Sequence, residues 1–218
     1  AVVKDAVMPT IHAANPVAAE LARRGLARET LTRLWLRGET LTWGAVAGRP
    51  GVKDPVRVYT RSDACGAAET WAAYLGGAQE DLCGVAVYGD PGLAEAVRKD
   101  VEAIGFNNLN FAFDFTSGRP VTGLLVPPLD ANGNGRADPE EVLDTKAQAI
   151  SAIRSGAYPS PPARDLYLVA RGGFIGLARE FVRWILTDGT AFIDEVGYIA
   201  PPDAQRQAGL RAVEGTSP

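Results

Sequence analysis

Residues 56–75 read VRVYTRSDACGAAETWAAYL, a strand, a tight polar turn and a helix in immediate succession. Val56, Val58 and Tyr59 are β-formers in an apolar-rich run, whereas Ala64, Ala67, Ala68, Trp71, Ala72 and Leu75 recur at helical spacing. Between them stand Arg61, Ser62 and Asp63. A guanidinium, a hydroxyl and a carboxylate thus meet the first free N–H groups of a helix. Such an end attracts anions, because its unpaired donors and its dipole point at the same spot. Arg61 adds a planar fork that fits an oxyanion. The same residues also fit a purely structural arrangement, with Asp63 as the helix cap and Arg61 as its ion-pair partner.

Outward from this unit, strand and helix patterns alternate, which predicts α/β layers. Strands are expected at 6–13, 85–88, 104–113 and 166–170. Helices are expected at 16–24, 28–36, 90–103, 139–155, 174–186 and 190–196. The tail after Pro202 is polar and Ala-rich and gives little information. Trp35, Trp43, Trp71 and Trp184 fall on apolar faces or turns and are assigned to core packing.

The chain has 218 residues, 46% hydrophobic and 22% charged, which fits a globular protein of one or two domains. A net charge of −4 with no basic run argues against nucleic acid as the main partner. No apolar stretch approaches the ~20 residues that span a bilayer, and no secretory leader pattern is present. Cys65 and Cys83 suit either a disulfide in an oxidising compartment or two thiols. His12 is the sole histidine and is expected at a strand end. Ser62 has no histidine to activate it, so no nucleophile–base set emerges and an enzyme is not expected.

Residues 130–141 read DANGNGRADPEE. Oxygen side chains occupy loop positions 1, 3, 5, 9 and 12: Asp130, Asn132, Asn134, Asp138 and Glu141. Gly135 stands where the turn needs no Cβ, and Arg136 would offer its backbone carbonyl. This is the ligand spacing of an EF-hand calcium loop. It explains Asp130 and Glu141 better than a hydrolytic carboxylate pair does. The alternative is a polar Asn-Gly turn with Asp138 capping the next helix. Because Pro127 and Pro128 precede the loop, only an exiting helix is expected, and one calcium ion would stiffen the connection.

With these segments placed, five stretches in order resemble the phosphate-binding proteins of bacterial ABC importers, a family of type II periplasmic binding proteins. They are Asn15-Pro16 followed by GLARETLTRLWLRGETLTWG (25–44), RSDACGA (61–67), AIGFNN (103–108), AYPSPPARDLYLV (157–169) and FVRWILTDGTAFIDEVGYIAP (181–201). The calcium-like loop before the fourth stretch resembles a subgroup of that family. The resemblance runs from Asp5 to about Pro202.

It implies two α/β lobes: a second lobe at 9–160, and at 1–8 and 161–218 the crossover and the returning part of a first lobe. The segment with which family members begin has no counterpart. The resemblance gives Arg61 an anion-clamping role, makes Asp63 its orienter, and makes Ser62, Cys65, Gly66 and Ala67 the remaining anion-binding residues through the helix N-terminus. Cys65 and Ala67 depart from the Ser and Thr usual there, and a thiol is a feeble donor. The implied protein is a periplasmic or extracellular monomer, anchored through the missing segment or free. It would bind phosphate or a similar oxyanion and pass it to a membrane permease. A calcium-clipped interaction module of the same fold, without an anion site, is the alternative.

Overall fold

The computed structural model describes residues 1–215. Its elements run β1 (Val3–His12), α1 (Ala18–Arg24), β2 (Leu26–Ala27), α2 (Arg28–Trp35), α3 (Trp43–Ala47), β3 (Arg57–Arg61), α4 (Gly66–Leu75) and β4 (Val85–Val87). There follow α5 (Gly89–Lys99), β5 (Ala103–Asn108), α6 (Leu109–Ala112), β6 (Leu124–Leu125), β7 (Leu129–Asp130), α7 (Lys146–Ser155), β8 (Ala163–Leu166), α8 (Gly176–Leu186), α9 (Thr190–Ile193) and α10 (Asp203–Glu214). The chain divides into two compact units, Ala6–Ala163 and a smaller one of Ala1–Asp5 with the chain from Arg164 onward.

In the larger unit the sheet order is β4-β3-β5-β1-β6. β3 runs parallel to β4 and β5, and β1 is antiparallel to β5 and β6. Parallel neighbours need crossovers, and α4 and α5 supply them. The fold is α/β, as the alternating pattern predicts. The aromatic core explains the packing of the opening segment. Trp71 on α4 meets Trp35, Tyr74 and Phe106 with ring centroids 5.3, 5.7 and 5.6 Å apart. Trp35 and Trp43 are fully buried, and their indole N–H groups donate to Tyr59 O at 3.1 Å and Glu102 O at 3.0 Å. Each indole therefore contributes apolar area without stranding its polar end. Gly105 on β5 admits α5: a Cβ there would come 2.7 Å from Val97 Cγ2.

Several expected boundaries are corrected. The strand expected over 104–113 ends at Asn108, and Leu109–Ala112 is a helical turn. The helix expected from Pro139 begins only at Lys146, because Thr145 is its cap and accepts Gln148 N–H at 3.2 Å. The strand expected at 166–170 lies at Ala163–Leu166, leaving Val169 89% exposed. The tail contains α10, whose apolar residues are sparse but whose Val213 packs with Val182 and Leu186. In the smaller unit Trp184 is 45% exposed and stacks between Phe181 and Phe192, so it is not a core residue.

Truncating Trp71 to alanine should cost about 3–5 kcal/mol, the usual range for deleting a buried aromatic. Chemical denaturation measures it; a loss below about 1 kcal/mol would mean that the aromatic cluster does not hold α4 to the sheet.

Candidate functional site

The site expected from sequence lies where β3 ends and α4 begins. Arg61 is the last residue of β3 and pairs in register with Val87 of β4. The chain leaves the sheet at Ser62, whose N–H donates to Val87 O at 3.0 Å. Asp63 turns back onto Arg61 and takes both prongs of its fork, Nε at 2.9 Å and a terminal NH2 at 2.5 Å. The other terminal nitrogen donates to Asp90 Oδ1 at 2.7 Å. Only 5% of the Arg61 side chain is exposed. A buried guanidinium needs such partners.

Asp63 also accepts Gly89 N–H at 3.1 Å. The Arg61 hydrogen bond and then the Gly89 N–H hold its pKa down at about 2, so it is a carboxylate throughout the physiological range. Burial pulls the Arg61 pKa down, but Asp63 and Asp90 outweigh it and the guanidinium stays charged. One cation thus faces two anions, and the ends of α4 and α5 flank the cluster. Three of the five guanidinium N–H groups are engaged, which leaves two for a ligand.

The anion-binding residues expected from the resemblance come together here, with one correction. Cys65 does not offer its backbone N–H: that group donates to Gln79 Oε1 at 3.0 Å. Gln79 spans the turn, because its own amide also donates to Asp63 O at 2.8 Å. Cys65 instead caps α4 through sulfur, Sγ accepting Ala68 N–H at 3.5 Å. Among the described residues nothing accepts the N–H groups of Gly66 and Ala67. Ser62 is exposed. Cys65 and Cys83 are both free thiols, which decides the alternative left open by their count.

Sequence reasoning missed Asp90 and Gln79. Asp90-Pro91 reads as a helix start and nothing more. Its partnership with Arg61 arises from strand pairing, since β4 delivers α5 beside the tip of β3. Behind Asp90 a buried polar relay continues: Asn107 Nδ2 donates to Asp90 O at 3.3 Å, and Thr10 Oγ1 donates to Asn107 Oδ1 at 2.8 Å.

The loop at 130–141 brings its predicted ligand residues into one knot. Asp130 accepts the N–H groups of Asn134 and Gly135 at 3.0 and 2.9 Å. Glu141 accepts those of Ala131 and Asp138 at 2.9 and 3.0 Å. Asn132 and Asn134 donate their amides to Asp138 Oδ2, each at 2.8 Å, and Arg136 Nε donates to Asp138 Oδ1 at 2.9 Å. Among the described residues no cluster of three or more His, Cys, Asp or Glu side chains is placed to hold a metal ion. The turn closes through its own hydrogen bonds. Asp130 and Glu141 are nonetheless buried, with no basic side chain paired to either among the described residues.

No protein-family model matches the chain. No curated protein matches it. Solved structures do. One is a Clostridium perfringens protein with bound phosphate, provisionally assigned as the substrate-binding protein of a phosphate ABC transporter. It superposes with a TM-score of 0.66 at 16% identity, covering 92% of this chain and 70% of its own. An ABC-type phosphate transport receptor from Vibrio cholerae gives 0.61 at 18% identity, over 92% and 71%. A possible phosphate-binding protein from Planctomyces limnophilus gives 0.59 at 17%, over 100% and 72%. At these identities the likeness shows the α/β fold.

The depressed pKa of Asp63 sets a pH dependence. An unfolded aspartate titrates near ~3.9, so the stability that Asp63 contributes is fully present above that pH and is lost as pH falls towards about 2. Thermal melts should show Asp63→Asn below the parent at pH 7 and level with it at about pH 2. Equal melts at pH 7 would count against the clamp.

Proposed function

We propose that the chain is an oxyanion-binding module whose ligand is inorganic phosphate, held at the Arg61 corner. The observation that carries this reading is the Arg61 fork, fixed by Asp63 beside two open N–H groups of α4. Each element suits a tetrahedral oxyanion: two guanidinium donors remain, the helix dipole is positive there, and the Ser62 hydroxyl is exposed. The fold shared with phosphate-binding transport proteins supports the same ligand. On this reading the protein is extracytoplasmic, binds without catalysis as a monomer, and passes its anion to an ABC permease. No helix among the described residues is long and apolar enough to cross a membrane.

The ion-binding loop belongs to the same proposal. A calcium ion held by Asp130, Asn132, Asn134, Asp138, Glu141 and the Arg136 carbonyl would neutralise two buried carboxylates that have no basic partner. It would clip the loop rather than take part in anion capture.

Calorimetry with phosphate, sulfate and molybdate tests the anion site. Phosphate should bind, and Arg61→Ala should weaken it by roughly tenfold or more, the worth of charge-assisted bonds. Asp90→Asn should strengthen it several-fold, because a competing anion leaves Arg61. Phosphate bound as tightly by Arg61→Ala as by the parent would remove the assignment. No uptake of any oxyanion would favour the interaction module.

For the loop, thermal unfolding with calcium and with chelator should differ, and Glu141→Gln should abolish the difference. Identical midpoints in the parent would exclude the ion.

A further inference from the structure

At the opposite end of α4 from Arg61, the larger unit holds a cavity of about 330 Å³. That volume lies within the small-molecule range, about 300–1,000 Å³. The parallel pairing of β2 with β7 sets Ala27 against Asp130, which brings Arg28 to the mouth of the cavity. The Arg28 guanidinium lies over the Tyr74 ring, 5.6 Å from its centroid. Among the described residues it makes no ion pair and no hydrogen bond, so all its donors are open.

Tyr74 is 7% exposed and lines the cavity, and its hydroxyl meets no protein partner among the described residues. Burial, opposed by Arg28 and reinforced by Asp130 and Glu141, pushes its pKa up to about 12, so the hydroxyl remains a donor. The other polar groups on the wall are committed. Ser160 Oγ donates to Ala163 O at 2.7 Å, and Asp130 accepts Asn134 and Gly135 N–H. Ala73, Pro159 and Pro161 make the rest of the lining apolar.

We infer that this cavity binds a small organic acid, its carboxylate on the Arg28 guanidinium and the Tyr74 hydroxyl and its hydrocarbon body against Ala73, Pro159 and Pro161. An open guanidinium with one positive charge and an open hydroxyl match one monovalent carboxylate. A dianion such as phosphate fits worse, because one guanidinium supplies a single positive charge and the prolines offer no donor. The site is separate from the Arg61 corner and does not depend on it.

Benzoate and hexanoate titrated calorimetrically into the intact chain test the inference. The parent should bind at least one of them. Tyr74→Phe, which keeps the ring and removes only the hydroxyl, should weaken it roughly fivefold. Arg28→Gln should weaken it by roughly tenfold or more. Circular dichroism of each variant shows that the fold is retained. No uptake of either acid at millimolar concentration, unchanged affinity in Arg28→Gln, or displacement by equimolar phosphate would each overturn it.

Discussion

The Arg61 guanidinium ties the tip of β3 and the turn that follows it to the start of α5, 29 residues further along the chain. It is buried at the tip of β3, forked by Asp63 from the following turn and met by Asp90 from the first turn of α5. A cation so enclosed would be costly without its partners. The end of the sheet and the starts of two crossover helices are therefore drawn to one point. Any ligand that comes to the two remaining N–H groups meets a rigid, pre-aimed fork.

That point can exist because the core behind it is tightly set. Trp35, Trp71 and Phe106 interlock between the helices and β5, and the glycine at 105 lets α5 lie close to the strand. Asn107 and Thr10 extend the polar ordering from Asp90 into the sheet. Apolar packing fixes the distance between elements, and the hydrogen bonds fix their axial register. The two loops differ in this respect. The Arg61 turn is braced by the sheet and by Gln79, whereas the loop at 130–141 is braced mainly by its own amides.

Where sequence reading succeeded, the signal was local. Helical spacing of Ala67, Ala68, Trp71, Ala72 and Leu75 marks the buried face of α4 because helix periodicity is a short-range property. Arg61 and Asp63, two residues apart, could be paired on paper because a turn brings such neighbours together. Where it failed, the deciding contact was remote. The start of α7 was displaced because Glu141 binds back into its loop and Thr145 supplies a better cap. α10 was invisible because its helix carries few apolar residues, and only Val213 is buried.

The chain's own order of residues thus determined an α/β class, a strand–turn–helix with an oriented arginine, and an oxygen-rich loop with the spacing of a cation site. Tertiary structure alone decided that Asp90 would share that arginine, that Gln79 would consume the Cys65 N–H, and that Arg28 and Tyr74 would face one cavity. The physical reason is reach. Periodicity, caps and turns are set within a few bonds along the backbone. The partners of a charged or hydroxyl group in the folded state are chosen by strand pairing and helix packing across the whole chain.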